Sequence, residues 1–222
     1  MSAMQSPYAV ALEIAGPAAM FTRPDTGATP ISYPVPTFSA AKGMFEAVAR
    51  LRSAYIQPRW VRICRPIRYE RYVTNYGGPL RKPSQIKDDN KYQLNATILV
   101  DVCYQIFGEV RAKRRTRAGA GRRRGLAGHP RKVPSGTRQD HEKVLFGLFK
   151  ERLERGQTFY TPCLGWKEFI PAYFGPIREG TVPEVSITLV IPSLLHSMWE
   201  HRQLRPTFRQ NVEIRNGVLR YE

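Results

Sequence analysis

Residues 97–110 read TILVDVCYQIFGEV and form the most strand-like stretch of the chain. β-Branched and aromatic residues dominate it, and these residue types are enriched in β-sheets because they pack well on a pleated surface. The stretch therefore predicts the main β-strand of the fold. The elements on either side of it decide which kind of sheet that strand joins.

The segments before residue 97 predict two strands and one helix. Residues 8–15 are short and apolar, as in a strand. Thr37 is a favourable N-cap, and the apolar residues after it recur at helical spacing. Residues 59–76 alternate apolar side chains with arginines, which predicts a strand with one buried and one cationic face. Pro66 predicts an edge or a bulge in that strand.

The segments after residue 110 predict a second helix and several further strands. Asp140 is the expected N-cap of this helix, and Gly156 is the expected stop. Asn216-Gly217 lies between two alternating runs and predicts a two-residue hairpin turn. Further strand-like stretches occupy residues 158–161, 166–174 and 185–191.

The resulting order, β-α-β-β-α-β followed by more strands, predicts an α+β protein with a ferredoxin-like sandwich, the topology of RNA-recognition modules. We expect residues 1–156 to form this domain, with a basic insertion loop at 111–139. Residues 157–222 are then expected to complete the sheet and to add a small C-terminal antiparallel β-region.

Composition excludes several protein classes. The chain has 222 residues, of which 42% are hydrophobic, so it can bury one sizeable core and is not wholly disordered. It contains no apolar run of about eighteen residues, and its N-terminus lacks the pattern of a secretory signal, so no membrane is expected. Cys64, Cys103 and Cys163 are widely spaced, which predicts buried thiols in a reducing cytoplasm.

Charge is the strongest indication of a binding partner. The formal net charge is +17, which points to a polyanion such as nucleic acid. Residues 111–132, called the basic run below, have ten Lys or Arg residues and no Asp or Glu. We expect this run to contact phosphates without reading bases, although a solvated charged loop is the alternative.

The sequence contains none of the usual catalytic motifs for hydrolases or phosphate-loop enzymes, and its histidines lack metal-ligand spacing, so no metal or other cofactor is expected. What remains is acid–base chemistry of the kind that cleaves RNA through the 2′-hydroxyl. His141 and Lys143 lie at the start of the second helix, whose N-terminus favours a phosphate. The alternative is that both are ordinary exposed residues of the first helical turn.

Five ordered motifs resemble one known family. They are FTRP at 21–24, ISYPVPTFSAAKGMFE at 31–46, RPI at 65–67, RLERGQ at 152–157 and FYTPCLGWKEF at 159–169. Together they resemble the Cas-five family of CRISPR-associated RAMP proteins, in its type I-C or subtype d branch. The resemblance implies a ferredoxin-like domain with a smaller C-terminal β-region. It also implies a subunit of the Cascade surveillance complex that holds the 5′ handle of the CRISPR RNA.

Members of this branch commonly also cut the precursor RNA without metal, with a tyrosine after the first helix and a Lys-His pair before the second. The resemblance therefore adds Tyr55 to His141 and Lys143 as catalytic candidates. It also favours Arg23 and Lys42 as RNA contacts. With the strand and basic-run arginines, the predicted RNA-binding residues are Arg23, Lys42, Arg65, Arg68, Arg114, Arg115, Arg122, Arg123 and Arg124.

Two alternatives to a processing nuclease remain open from the sequence. The first is a catalytically inactive subunit that only holds the handle and packs against the backbone and large subunits of Cascade. The second is a free-standing RNA-binding protein unrelated to CRISPR. The basic run also has target DNA as a further candidate partner.

Overall fold

The computed structural model describes residues 6–76, 82–88, 92–113, 137–200 and 203–221. Within them the chain forms eight strands and three helices. The strands are Ala9–Ala19 (β1), Ala54–Ile63 (β2), Tyr69–Tyr76 (β3), Tyr92–Ala112 (β4), Tyr173–Gly175 (β5), Leu189–Glu200 (β6), Gln203–Arg215 (β7) and Val218–Arg220 (β8). The helices are Phe38–Val48 (α1), Pro83–Lys87 (α2) and Arg138–Glu154 (α3).

Strand β4 is the centre of the sheet and confirms the strand predicted at 97–110. It has 21 residues and pairs antiparallel with β1, β2 and β3. The strand order is β5-β1-β4-β2-β8-β7-β6, with β3 paired to β4 beside this path. The protein is therefore a mixed helix-and-sheet fold whose sheet is mostly antiparallel, as the sequence predicts.

Helices α1 and α3 share one face of the sheet, and the main core lies between the two layers. Leu12, Ile14 and Ile106 of the sheet are fully buried. The rings of Phe45 on α1 and Phe149 on α3 have centroids 5.7 Å apart. Both helices can therefore pack over the same strands, and this places the first turn of α3 near the end of β4 and the start of β2.

The single strand predicted at residues 59–76 is wrong. The chain leaves the sheet at Ile63, passes through Pro66, and re-enters it as β3 at Tyr69. Proline lacks the N–H that a ladder requires, and this segment is where the alternating pattern is interrupted. Arg65 and Arg68 consequently lie in a connection and not on a continuous cationic strand face.

The start of α3 also differs from the prediction. Thr137 is its N-cap, and Asp140 occupies the third helical position of a capping box. The Thr137 side chain accepts a hydrogen bond from the Asp140 N–H, and the Asp140 carboxylate accepts one from the Thr137 N–H. The helix stop at Gly156 is confirmed, with a φ of +63°.

The C-terminal strand predictions hold in part. Residues 158–161 form no strand, because the Phe159 N–H donates to the Ala47 carbonyl of α1. The stretches predicted at 166–174 and 185–191 contribute only the short β5 and the beginning of β6. The hairpin at Asn216-Gly217 is confirmed, with positive φ at both residues.

Among the described residues, no helix is long and apolar enough to cross a membrane.

Gly165 provides a test of the packing between the 159–166 segment and β1. Its φ is +94°, and a Cβ there would collide with the Met20 carbonyl oxygen. Gly156 has a φ of +63° but open space around it. We expect Gly165→Ala to lower the free energy of unfolding by at least about 1 kcal/mol more than Gly156→Ala does. Both substitutions strain the backbone, but only the one at Gly165 also creates a collision. Urea denaturation of both variants measures this, and equal losses would contradict the close approach.

Candidate functional site

One corner of the protein gathers polar side chains from α1, β2, β4 and α3. We call it the corner site and define it by Lys42, Ser53, Tyr55, Lys113 and His141. Two of the sequence-predicted catalytic residues, Tyr55 and His141, belong to it, and so does the predicted RNA contact Lys42. Ser53 has no signal in the sequence that marks it as functional, and Lys113 is marked only as one of the ten cations of the basic run.

His141 is held against the start of β2. The capping box orders the first turn of α3, and His141 follows Asp140 directly. Its Nδ1 lies 3.2 Å from Ser53 Oγ, and either atom can be the donor. Hydrogen bonds from the Thr137 hydroxyl and N–H to the Asp140 carboxylate lower the pKa of Asp140. A carboxylate that stays charged at this position supports the helix N-terminus.

The end of β4 is tied to the same place by two backbone groups. The Ala112 N–H donates to Glu142 Oε1 at 2.8 Å, and the Lys113 N–H donates to the Ser53 carbonyl at 2.7 Å. On the far side of residues 114–136, Thr137 caps the helix that carries His141. The described residues on both sides of residues 114–136 therefore lie beside the corner site.

Tyr55 and Lys42 form the other side of the corner. Tyr55 is two residues past Ser53 and pairs with Arg111 of β4. The Lys42 ammonium lies 5.8 Å from the centre of the Tyr55 ring, a cation–π distance, and 3.9 Å from Glu46 Oε1. Lys42 therefore lies beside Tyr55, and Tyr55 is two residues along the chain from Ser53, the partner of His141.

Lys113 brings a second amine to this side. Partial burial lowers the pKa of Lys113, and the nearby cations Lys42 and Arg50 lower it further against the opposing effect of Glu46. Two amines and one carboxylate give this part of the corner a net positive charge. An anion such as a phosphate is the ligand that would relieve the repulsion.

Lys143, the third predicted catalytic residue, is exposed on the second turn of α3. Within the described part of the chain, no hydrogen bond or ion pair joins it to the corner site. Its charge acts on Asp140, whose pKa it helps to lower. The described residues also contain no cluster of three or more His, Cys, Asp or Glu side chains able to hold a metal ion.

The predicted RNA-binding residues at positions 114, 115, 122, 123 and 124 lie outside the described residues.

Comparisons with known proteins indicate the family to which this chain is similar. The model for CRISPR-associated protein (Cas_Cas5) matches residues 9–112, from β1 to the end of β4. A protein of Mannheimia succiniciproducens named CRISPR pre-crRNA endoribonuclease Cas5d is 28% identical, covering 95% of this chain and 93% of its own. A Thermus thermophilus protein of the same name is also 28% identical, covering 84% and 72%. The family model and both relatives support the Cas5 family, subtype d, for this chain. The resemblance seen in the sequence motifs is confirmed.

Solved structures share this Cas5 fold. A crystal structure of a CRISPR-associated protein superposes with a TM-score of 0.64 at 18% identity, covering 96% of this chain and 91% of that one. A functionally uncharacterized protein from Streptococcus mutans gives 0.64 at 17%, covering 96% and 92%. A chain of a CRISPR RNA-guided surveillance complex gives 0.50 at 16%, covering 95% and 91%.

The other predicted RNA contacts of this Cas5 chain lie away from the corner. Arg65 and Arg68 line a groove of about 1010 Å³ on the sheet face opposite the helices. Arg68 is paired with Asp101 at 2.5 Å, whereas Arg65 has no hydrogen bond or ion pair within the described residues. Arg23 forms two hydrogen bonds with the Asp25 carboxylate, so its guanidinium is already engaged.

The contact between Ser53 and His141 can be tested without any substrate. We expect Ser53→Ala to change the tautomer balance of His141, because the imidazole loses the partner that its Nδ1 has in the native protein. Ser53→Thr keeps a hydroxyl and is expected to keep the native balance. Imidazole ¹⁵N chemical shifts measure the tautomer, and a native spectrum in Ser53→Ala would contradict the contact.

Proposed function

We propose that this protein binds CRISPR RNA as a subunit of a Cascade surveillance complex and cleaves precursor CRISPR RNA at the repeat. The observation that carries the proposal is the corner site, where Ser53 contacts His141 and Lys42 lies beside Tyr55, next to the described residues on both sides of residues 114–136. The names of the two Cas5d relatives support RNA processing, and the likeness to a chain of a CRISPR RNA-guided surveillance complex supports the assembly.

The proposed reaction is transfer of the phosphate to the adjacent 2′-hydroxyl. The 2′-oxygen bonds to phosphorus as its proton passes to a base, and the bond from phosphorus to the 5′-oxygen breaks as that oxygen receives a proton. The products are a 2′,3′-cyclic phosphate and a 5′-hydroxyl. Such a reaction needs a base, an acid and a cation beside the phosphorane, and the corner site contains groups for all three roles.

His141 is proposed as one of the two proton-transfer groups, and Ser53 as the residue that positions it. When the imidazole is protonated on both nitrogens, Nδ1–H donates to Ser53 Oγ and Nε2–H can protonate the leaving 5′-oxygen. When it is neutral with its proton on Nδ1, Nδ1–H donates to Ser53 Oγ, and the unprotonated Nε2 can take the 2′-hydroxyl proton. In both cases the hydrogen bond of 3.2 Å leaves Nε2 free to face the RNA.

The cleaved phosphate is proposed to lie between the N-terminus of α3 and the amines of the corner. The free N–H groups of a first helical turn and the helix dipole favour an anion. Lys42 and Lys113 supply positive charge from the other side, and Tyr55 supplies a phenolic hydroxyl. Lys143, exposed two residues after His141, remains a candidate for contact with the same or a neighbouring phosphate.

We also propose the finer details of the fold. The order β5-β1-β4-β2 with α1 and α3 on one face supports a ferredoxin-like domain within residues 1–156, completed by strands from 157–222. The basic run and Arg65 are proposed to bind RNA phosphates, with target DNA as a further partner of the run. Backbone and large Cascade subunits are the proposed protein neighbours, and the cytoplasm is the proposed compartment.

Cleavage of labelled repeat RNA in EDTA tests the catalytic part of the proposal. We expect His141→Ala to slow cleavage by roughly 10²- to 10⁴-fold with RNA affinity nearly unchanged, since it removes a proton-transfer group. Tyr55→Phe keeps the ring beside Lys42 and tests the hydroxyl alone. Lys143→Ala is expected to reduce the rate less than His141→Ala. Lys150→Ala on the same helix, whose ammonium lies over Phe146, is the matched control.

The results distinguish the nuclease from the alternative subunit. Tight binding by the wild-type protein without any cleavage would show a structural subunit that only holds the handle. Cleavage that persists in both His141→Ala and Tyr55→Phe would move catalysis away from the corner site.

Salt-dependent binding tests the phosphate contacts. We expect the triple change of Arg122, Arg123 and Arg124 to Ala to weaken binding to all RNA sequences and to flatten the salt dependence. Arg65→Ala should lower the logarithmic salt slope by about 1, as for a single phosphate contact. Arg215→Ala removes an arginine that is paired with Glu213 and serves as the control. Salt slopes equal to that of the control would refute these contacts.

A further inference from the structure

Gly43 lies inside helix α1, where the fold gives no reason for glycine. Its φ is not in the positive region, and a Cβ built on it meets no atom within 4 Å. A glycine within a helix is less stable than alanine at the same position, because the unfolded chain loses more conformational freedom on folding. Gly108 differs, because a Cβ there would approach the Phe45 ring to 2.8 Å. Space at Gly43 is therefore available to something other than this chain.

A preformed cavity lies against Gly43. Its volume is about 150 Å³, and we call it the Gly43 pocket; it is lined by Ala40, Gly43, Met44, Tyr160, Pro162, Cys163 and Gly165. The Tyr160 hydroxyl donates to the Gly43 carbonyl at 2.7 Å, and the Phe159 N–H donates to the Ala47 carbonyl at 2.7 Å. These bonds fix the 159–165 wall against α1, so the pocket does not depend on a ligand for its shape.

The lining selects an uncharged, planar ligand. It combines an aromatic ring, a thioether, a proline ring and a thiol, which are soft or apolar groups. Burial raises the pKa of the Cys163 thiol and raises that of Tyr160 to about 12, so both remain neutral at physiological pH. A phosphate would find no cation among the lining residues, whereas a flat ring could pack against Tyr160 and Met44.

The pocket adjoins the corner site through consecutive residues of α1. Lys42 directly precedes Gly43, and its ammonium lies 5.8 Å from the centre of the Tyr55 ring. Its side chain is 42% exposed, so it can reach a phosphate from solvent. A cation beside a neutral slot matches one nucleotide, with its charged phosphate outside and its base inside.

We propose that the Gly43 pocket binds one unpaired base of the RNA, while Lys42 contacts the phosphate attached to it. This inference rests on the proposed RNA-binding function and names the part of the RNA that α1 recognises. Glycine at position 43 leaves the room that the base occupies. The bound base would fix the position of the strand relative to Tyr55 and His141, so the pocket contributes to selecting the cleaved phosphate.

Paired glycine substitutions test the proposal. Gly147 lies within α3, and a Cβ built there also meets nothing within 4 Å, which makes it a matched control. We expect Gly43→Ala and Gly147→Ala to raise the melting temperature similarly, since both improve helix propensity in open space. Only changes at position 43 should weaken binding of labelled single-stranded repeat RNA. Gly43→Leu, which fills more of the pocket, should weaken it roughly 10-fold or more, as for the loss of one stacked base.

Abasic RNA supplies the second measurement. Replacing nucleotides one at a time by abasic ribose should reveal one position that matters to the wild-type protein and not to Gly43→Leu, because the pocket is already filled there. Native affinity in Gly43→Leu, or a fall in melting temperature in Gly43→Ala, would overturn the pocket assignment while leaving the proposed function intact. Failure of the wild-type protein to bind the repeat RNA would instead overturn the proposed function.

Discussion

Strand β4 is the constraint on which the rest of the structure depends. It pairs with three strands, so the positions of β1, β2 and β3 are all set by their register on it. Its C-terminal end brings Lys113 to Ser53, whereas its residues near 102 line the groove beside Arg65. About eleven residues separate these two places, roughly 36 Å of extended chain. One RNA molecule that contacts both must therefore extend along β4 or around the sheet edge.

The sequence predicts the elements where local chemistry decides them. Thr37 caps α1 as expected, since its side chain accepts from the Ala40 N–H, and Asn216-Gly217 adopts the expected turn. Predictions fail where a competing contact decides the structure. Alternation through residues 59–76 resembles one strand because period two does not show where a chain leaves the sheet. Asp140 has the chemistry of a cap, but Thr137 takes that place and uses Asp140 as its reciprocal partner.

The candidate site is predictable only in part, and sequence separation is the reason. His141 could be singled out because it follows the basic run at a helix N-terminus, and Tyr55 only because the family resemblance implies a catalytic tyrosine after the first helix. Ser53 could not, since 88 residues separate it from His141 and nothing local marks it. Lys113 belongs to the basic run by composition. Its backbone bond to Ser53 is what distinguishes it from the other cations of the run.

Not every one of the 35 Lys and Arg residues in the sequence is free to bind an anion. Arg23, Arg68 and Arg178 are each paired with a carboxylate, the last with the fully buried Glu13. Such pairs hold loops and strands in place. An arginine in such a pair can bind an RNA phosphate only by giving up its carboxylate partner. Affinity for a polyanion then depends most on the cations without a close carboxylate partner. Charge count alone therefore identifies a class of ligand without locating its site.

Glycine is required by the fold at two of three positions, Gly108 and Gly165, and not at the third, Gly43. Gly108 is required because Phe45 and Ile56 occupy the space of its side chain, and Gly165 because its backbone lies against Met20 with positive φ. The fold alone therefore explains both of these glycines, with no role for a ligand. Gly43 lowers helix stability and is not required by any neighbour in the described structure, so folding alone would favour alanine there. A local choice that weakens the fold indicates a functional demand. At Gly43 that demand is room beside the Tyr160 ring, next to the lysine that faces Tyr55.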